Sequence, residues 1–279
     1  MSHRDTNEQA LAKQFFDTFI PALKTAGDYA AEIQHRVMVR PQKNGDGWTS
    51  VLTDADLGVQ HFIEATLLAK HPDWQLFGEE RDLSFNTRYF PDAEIVVWLD
   101  PVNGTRLYRD RANTFDVIAS LSYRGRLLAT LSYMPGLSCF YGASRFSPGF
   151  KIDAGSGKQV TMSDASTSMV LALYQADAWR PLLPPEIEIF DVSLDYQSND
   201  PRCCMNSMFD NQLGGFLFGD VALLDVGATG FTAMRSGGKA TAPNGEELDV
   251  YDAFDGEQRR DLLVCMNPVL HEAVVKALR

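Results

Sequence analysis

A short apolar run that ends in a tight polar turn is the feature that most constrains how this chain can fold. Residues 95–99 are apolar and lead directly into residues 100–105, which read Asp-Pro-Val-Asn-Gly-Thr. An apolar run closed by turn residues predicts a buried strand with an abrupt end. The strand fixes the position of Asp100, and Gly104 lets the chain turn where a side chain would obstruct it. A carboxylate, an amide and a hydroxyl thus reach one small volume, which suits a metal or phosphate site.

Composition limits the class of protein. The 279 residues can bury a substantial core, and 45% hydrophobic with 22% charged residues predicts a globular chain. The formal net charge of −12 argues against nucleic acid as the main partner. No apolar stretch reaches membrane-spanning length and the polar start is not a secretory signal, so we expect no membrane partner. The four cysteines lack C-x-x-C spacing, which predicts reduced thiols and a cytoplasmic location.

Apolar spacing predicts alternating helices and strands, and therefore an α/β protein with layered sheets and helices. A helix is expected from near Glu8 to His35, with a kink at Pro21, and a second helix from the Thr53–Asp56 segment to about residue 70. The stretch 145–167 lacks periodicity, so we place a boundary there, between an N-terminal α+β subdomain (1–155) and a C-terminal α/β subdomain (156–279). The other predicted elements are strands over 75–77, 95–99, 115–123, 127–133, 138–143, 169–173, 187–192, 215–218 and 262–266, and helices over 205–213, 220–235 and 267–278.

Several polar residues have both an ordinary and a functional interpretation. Asp54 or Asp56 could simply cap a helix or interact with its dipole. Lys43, in a polar glycine-containing loop, could point at an anion or be a solvated loop lysine. Glu79 and Glu80 directly follow a short strand and would mean little by themselves.

The order and spacing of the acidic segments, taken together, resemble the inositol monophosphatase family. These are Mg²⁺-dependent, lithium-sensitive phosphatases related to fructose-1,6-bisphosphatase and the bisphosphate nucleotidases. The resemblance covers most of the chain and implies a layered α-β-α-β-α sandwich. The segments that carry it are Thr53-Asp54-Ala55-Asp56, Gly78-Glu79-Glu80, the run from Asp100 to Thr105, and Leu224-Asp225 followed by Gly237-Gly238.

The resemblance implies a site for two metal ions. Glu79, Asp100 and the backbone carbonyl of Val102 would hold one Mg²⁺. Asp100, Asn103 and Asp225 would hold the second, with Mn²⁺ as a substitute metal. Oxygen ligands are those that Mg²⁺ prefers, and no histidine lies in these motifs, which argues against zinc.

The resemblance also implies which residues act on the substrate. Thr105 and Asp56 would orient and deprotonate an attacking water, with Glu79 as the third residue counted as catalytic. The amides of Gly104 and Thr105 would grip phosphate oxygens. The full set of expected substrate contacts is Asn103, Gly104, Thr105 and Asp225.

Three positions depart from the family pattern. Asn103 stands where the family has aspartate, and an amide oxygen can bind Mg²⁺ but brings no charge, so we expect a weaker second metal site. Leu224 replaces a tryptophan, and Phe218 replaces a glutamate that contacts a substrate hydroxyl in the inositol phosphatases. Asp210 or Asp220 could take over that contact.

Two functional hypotheses follow. The first is a Mg²⁺-dependent phosphatase that hydrolyses a small phosphomonoester, such as an inositol monophosphate-like, sugar or nucleotide phosphate, by metal-activated water. The second is a catalytically degenerate family member that binds a phosphorylated ligand or a protein partner. Retention of the acidic residues and of Thr105 favours the enzyme. Family members are often homodimers, so we expect a homodimer.

Overall fold

The computed structural model describes residues 3–36, 39–41, 51–80, 91–163 and 165–279. Lys43, for which the sequence left an anion contact open, lies outside the described residues. The chain divides into two compact units, which are described separately. The first comprises Met1–Phe140 and Ile152–Lys158, and the second comprises Tyr141–Lys151 and Gln159–Arg279.

The predicted fold class is confirmed, since the chain is a mixed α/β protein with two multistranded sheets and flanking helices. In the described part of the chain the α-helices are α1 (His3–Ile33), α2 (Asp54–Lys70), α3 (Thr105–Arg109), α4 (Leu223–Arg235) and α5 (Pro268–Leu278). The strands are β1 (Val39–Pro41), β2 (Val51–Thr53), β3 (Gln75–Gly78), β4 (Ile95–Asn103), β5 (Asp116–Tyr123), β6 (Arg126–Met134), β7 (Cys139–Ser144), β8 (Ser147–Asp153), β9 (Gln159–Thr161), β10 (Val170–Tyr174), β11 (Glu188–Asp191), β12 (Gly215–Ala222), β13 (Lys239–Thr241) and β14 (Arg259–Cys265). Short 3₁₀ turns occupy Pro135–Leu137, Arg180–Leu182, Pro201–Cys203 and Met205–Met208.

The seven-stranded sheet is built on the buried strand β4. Its order is β3-β4-β5-β6-β7-β8-β9, and the division between the two units falls within β7 and β8. Strand β3 pairs parallel with β4, whereas β4–β5 and β5–β6 are antiparallel. A tight β5–β6 hairpin turns at Arg124 (φ 52°) and Gly125 (φ 74°). Both central residues have positive φ, as the two-residue type I′ turn requires.

Helix α1 packs against α2 and β6 through a stripe of apolar residues. Phe15, Phe19 and Leu23 recur every four residues and are completely buried. At Gly27 an added Cβ would lie 2.7 Å from the Tyr133 ring, so only glycine lets the helix approach β6 this closely.

The second unit contains a five-stranded sheet of order β11-β10-β12-β14-β13. Strand β10 is parallel to β11 and β12, and β14 is antiparallel to β12 and β13. The core of this unit joins three neighbouring strands to α5, through Leu171, Leu217, Leu263, Leu270 and Val274. Burial of these aliphatic side chains is the main force that holds α5 on the sheet.

Most predicted elements are present, and the differences have local causes. Helix α1 continues through Pro21, and α5 begins where expected because Asn267 caps it by accepting hydrogen bonds from two backbone amides. The helix expected from residue 220 begins at Leu223, because β12 continues through a bulge in which Asp220 has φ 46°. The helix predicted over 205–213 is wrong, since only the 3₁₀ turn Met205–Met208 forms there.

The stretch 145–167, which shows no periodicity in sequence, contains the strands β8 and β9. All four cysteines are buried free thiols. In the described residues, no helix combines the length and the apolar character needed to cross a membrane.

Candidate metal and phosphate site

Parallel pairing of β3 with β4 places Glu79 beside Asp100. Gly78 lies opposite Leu99 in the register, and the Glu79 amide donates to the Leu99 carbonyl at 3.0 Å. Asp100 is 3% exposed, and its Oδ1 accepts a hydrogen bond from the Val102 amide at 3.1 Å. The Glu79 side chain is exposed at the end of its strand. A buried carboxylate and an accessible one are therefore carried by adjoining positions of two neighbouring strands.

A β-bulge in β4 sets the direction of the next residues. Asp100 pairs with Ile118 on β5 and Asn103 pairs with Asp116, so three steps along β4 match two steps along β5. Residues opposite each other lie on the same face of a sheet, and residues two apart on β5 also share a face. Asp100 and Asn103 therefore lie on one face, which an unbulged strand would not allow at this spacing.

The turn after β4 holds the backbone tightly. Gly104 has φ 79°, in the left-handed region that glycine adopts without strain, and it precedes α3. An added Cβ there would lie 3.0 Å from Leu107 Cδ1. The Thr105 hydroxyl donates to the Val102 carbonyl at 3.2 Å. That carbonyl keeps a second lone pair, so the bond does not prevent it from binding a cation.

Asp56 lies in the first turn of α2 and is 2% exposed. Burial, followed by the charge of Asp56, raises the pKa of Glu80 to about 7. Burial and the charge of Asp56 also raise the pKa of Tyr108, the fourth residue of α3. Asp56 is thus electrostatically coupled both to the loop after β3 and to the helix that Thr105 begins.

Gln60 fastens the loop after β3 to helix α2. It is completely buried, its Oε1 accepts from the Glu80 amide at 3.2 Å, and its Nε2 donates to the Glu80 carbonyl at 3.0 Å. Nε2 also donates to Glu64 Oε1 at 3.2 Å. Gly78 leaves room for this contact, because an added Cβ would lie 2.4 Å from Gln60 Oε1. The Glu80 backbone, next to Glu79, is therefore held at both its amide and its carbonyl.

The side chain of Asn103 is bound by a second carboxylate. Its Nδ2 donates to Asp116 Oδ1 at 2.8 Å, and Asp116 is 1% exposed. The Ser132 hydroxyl donates to Asp116 Oδ2 at 2.5 Å. The three side chains come from adjacent strands β4, β5 and β6.

In the second unit, Asp225 lies partly buried in the first turn of α4. Burial raises its pKa to about 6, while the positive charge of Arg259 acts in the opposite direction. Phe218 is buried and stacks on Phe216 at 5.0 Å between ring centroids, so this position offers an apolar surface and no polar group. Leu224 is also buried.

The two carboxylates considered as replacements for the family glutamate both have cationic partners. Asp210 accepts from Lys151 at 2.6 Å and from the Tyr141 hydroxyl at 2.7 Å. Asp220 accepts from Arg259 Nε at 3.1 Å. Each carboxylate thus has a cationic partner within the second unit, and a role for either in substrate binding stays a prediction.

The donor set fits a hard divalent cation. Across the described residues, no group of three or more His, Cys, Asp or Glu side chains is spaced to hold a metal by itself. The metal ligands expected in the first unit do not require such a group, because they combine two carboxylates with the Val102 carbonyl and the Asn103 amide. Oxygen donors of this kind suit Mg²⁺. Burial raises the pKa of Glu80 in the first unit and of Asp225 in the second, so each carboxylate is costly to ionise without a nearby cation.

Comparison with known proteins decides the family. The profile of the inositol monophosphatase family matches residues 12–279, nearly the whole chain. The chain belongs to the inositol monophosphatase family. Members of this family are phosphomonoester hydrolases, and the resemblance identified from the acidic segments is thereby confirmed.

Two curated relatives differ in how much of the chain they match. An inositol monophosphatase of Dictyostelium discoideum is 23% identical over 245 residues, which cover 83% of this chain and 84% of that protein. A histidinol-phosphatase of Chlorobaculum parvum is 31% identical over 122 residues. That match covers 43% of this chain and 44% of the relative, so it spans less than half of either chain.

Solved structures agree in fold. An inositol monophosphatase of Thermotoga maritima has a TM-score of 0.72 at 17% identity, covering 94% of this chain and 96% of that one. An inositol monophosphatase/NADP phosphatase, solved with Mg²⁺ and phosphate, also has a TM-score of 0.72 at 17% identity, with 96% of each chain covered. At these identities the likeness establishes the inositol monophosphatase fold.

Two residues that contact the candidate site are not predicted from the sequence. Gln60 follows Asp56 by one helical turn, so its shared face with that carboxylate was a usable signal. Asp116 is a charged residue at the start of an apolar strand, where burial without a partner would be costly. Neither signal identifies the partner, because Glu80 and Asn103 are distant in sequence.

Proposed function

We propose that this protein is a divalent-metal-dependent phosphatase that releases phosphate from a small phosphomonoester. The observation that carries the proposal is the hydrogen bond from the Glu79 amide to the Leu99 carbonyl, which sets Glu79 beside the buried Asp100. These residues stand at the head of the bulge and turn that carry Asn103, Gly104 and Thr105.

For one Mg²⁺ we assign Glu79, Asp100 and the Val102 carbonyl as ligands, and for a second we assign Asp100 and Asn103. Asp225, in the second unit, is the further ligand that the resemblance implies. When bound, such ions neutralise phosphate charge and lower the pKa of a coordinated water. The acidic chain needs that charge reversal, because a phosphomonoester dianion would otherwise meet a protein of net charge −12.

The residues of the chain handle the water and the phosphate. The Thr105 hydroxyl hydrogen points to the Val102 carbonyl, so its Oγ1 lone pairs remain able to accept a hydrogen bond from a water. Asp56 would take the proton as the water oxygen attacks phosphorus and the ester P–O bond breaks. The amides of Gly104 and Thr105 would bind the phosphate oxygens, and the freed alcohol would gain its proton from solvent.

Residues of the second unit support a narrower substrate class. Phe218 presents a buried ring where the resemblance places a hydroxyl-binding glutamate, and the carboxylates of Asp210 and Asp220 are held by cations. We therefore propose a sugar or nucleotide phosphate, in preference to an inositol phosphate held through a glutamate. Mn²⁺ as a substitute metal, a homodimeric assembly and a cytoplasmic location stay predictions.

Phosphate release during a Mg²⁺ titration tests the proposal, with inositol 1-phosphate, histidinol phosphate, NADP and glucose 6-phosphate as the substrate panel. The matched control is Asp100→Asn, which keeps the side-chain shape and removes the charge. We expect Mg²⁺-dependent release from at least one substrate and none from the variant. Binding of a phosphorylated ligand without any release, even at high Mg²⁺, would instead favour the degenerate, ligand-binding hypothesis.

A further inference from the structure

The pairing of Asn103 with Asp116 has the geometry of a positioning contact. The two residues lie directly opposite each other on β4 and β5, and Asn103 Nδ2 donates to Asp116 Oδ1 at 2.8 Å. Asp116 is 1% exposed, so bulk water does not compete for this contact. Hydrogen bonds to carboxylate acceptors are among the stronger ones in proteins.

Asp116 is itself held from its other side. Ser132 lies on β6 and its hydroxyl donates to Asp116 Oδ2 at 2.5 Å. Each oxygen of Asp116 therefore has a donor from a different neighbouring strand. These two hydrogen bonds fix the orientation of the Asp116 carboxylate, so it can hold another side chain in place.

Fixing Asp116 also fixes which end of the Asn103 amide faces it. An ionised carboxylate only accepts hydrogen bonds, whereas an amide has one donor end and one acceptor end. The flipped amide would set an oxygen against Asp116 Oδ1. Asn103 Oδ1 is accordingly turned away from Asp116, and Asn103 shares its face of the sheet with Asp100.

We propose that Asp116 is a positioning residue that locks the Asn103 amide with its oxygen available as a ligand for a divalent cation. The inference rests on the proposed function, because it takes Asn103 as a metal ligand. It also makes the identities of the two positions interdependent, with one amide and one carboxylate required between them. Aspartate at position 103 would set two carboxylates against each other across a 2.8 Å contact.

This coupling changes the effect that Asn103→Asp should have on Mg²⁺ binding. Counting ligand charge alone predicts that Asn103→Asp strengthens metal binding. The pairing predicts that Asn103→Asp by itself brings no gain, and that the exchange Asn103→Asp with Asp116→Asn together restores or improves binding. In the double variant the new amide at position 116 can donate to the new carboxylate at position 103.

The test is a cycle of four proteins: wild type, Asn103→Asp, Asp116→Asn and the double variant. Two quantities are measured on each: the Mg²⁺ dissociation constant by isothermal titration calorimetry, and the midpoint of thermal unfolding without metal. We expect Asp116→Asn to weaken Mg²⁺ binding by about 10- to 100-fold, the range for residues that orient metal ligands. The double variant should recover wild-type affinity or better.

Ser122→Ala is the matched control, since Ser122 Oγ accepts from Trp98 Nε1 at 2.8 Å between the same two strands. It should lower the unfolding midpoint without changing Mg²⁺ affinity. Ser132→Ala gives a second route to Asp116 that leaves its charge intact, and should weaken Mg²⁺ binding in the same direction by a smaller factor.

The inference is overturned if Asp116→Asn and Ser132→Ala behave like Ser122→Ala, or if Asn103→Asp alone binds Mg²⁺ more tightly with no further gain in the double variant. A wild-type protein that binds no Mg²⁺ overturns both this inference and the proposed function. Coupled Mg²⁺ binding in a protein that hydrolyses nothing overturns only the proposed hydrolysis.

Discussion

Replacing Gln60 by leucine tests whether the loop after β3 is held in place for metal binding. Leucine has a similar size but cannot make the two hydrogen bonds between the Gln60 side chain and the Glu80 backbone, at 3.2 and 3.0 Å. Gln60 is completely buried, and leucine offers the Glu80 backbone no hydrogen-bond partner in its place.

The expected loss of stability follows from these two bonds and from the third, in which Gln60 Nε2 donates to Glu64. At a net contribution of ~1 kcal/mol each, Gln60→Leu should lower the free energy of unfolding by about 3 kcal/mol. For a unit of this size that corresponds to a fall of roughly 6–12 °C in the unfolding midpoint. Because Glu79 adjoins the released backbone, Mg²⁺ affinity should also fall, by about tenfold.

Gln34→Leu is the matched control. Gln34 also makes two hydrogen bonds to the backbone of the first unit, in which its Nε2 donates to the carbonyls of Tyr108 and Ala112, both at 3.0 Å. Calorimetric unfolding should show a stability loss in both variants, smaller in Gln34→Leu because it removes two bonds and not three. Mg²⁺ titration calorimetry should show a change in Mg²⁺ affinity only in Gln60→Leu. Equal Mg²⁺ affinities in the two variants would refute the idea that Gln60 positions Glu79.

Three further predictions concern the turn, the metal and pH. Gly104→Ala and Gly125→Ala both place a side chain at positive φ and should each cost about 1 kcal/mol, but only Gly104→Ala should also lower phosphate release. Saturating Mg²⁺, at about 100 times its dissociation constant, should stabilise the wild type by ~2.7 kcal/mol and leave the melting of Asp100→Asn unchanged in a thermal scan. Burial, and secondarily the positive charge of a nearby lysine, lowers the pKa of His271. Its neutral form therefore stabilises the fold above pH 6.5, and that stability is lost as pH falls through the lowered pKa of the folded protein. The wild type should therefore lose more stability between pH 7.5 and 5 than His271→Gln does, as measured by thermal melting. His35→Gln, which changes an exposed histidine, is the control. Equal losses in the wild type and His271→Gln would contradict the prediction.

The parts of the fold that sequence predicts well are those with a strong local pattern. Helices α2 and α5 and strand β4 follow from apolar spacing, turn residues and a capping asparagine, all of which act within a few residues. The 3₁₀ turn at Met205–Met208 and the short strand β13 carry too few residues to show a period. Strands β8 and β9 are also missed from the sequence, because pairing with the adjoining strands of the sheet, and not an apolar alternation of their own, makes them extended.

The residues of the candidate site also differ in whether a local sequence pattern predicts them. Asp56, Glu79 and Asp100 were predicted from motifs in which each residue lies next to its own turn or helix start. The contacts of Gln60 with Glu80 and of Asn103 with Asp116 depend on which strand and helix meet, so no local pattern contains them. Asn103 shows the difference most clearly. Its replacement of aspartate suggested a lost charge, whereas the structure shows a carboxylate bound to it from the adjoining strand.

The bulge between Asp100 and Asn103 makes the length of this motif as informative as its letters. A strand alternates its side chains with a period of two, so one residue added or removed between these positions would turn Asn103 to the opposite face. Pro101, which cannot donate to a strand ladder, sits inside the bulge. Related chains should therefore accept changes of residue type within this stretch far more readily than insertions or deletions. A gap placed there in an alignment would signal an alignment error or a site that has lost its geometry.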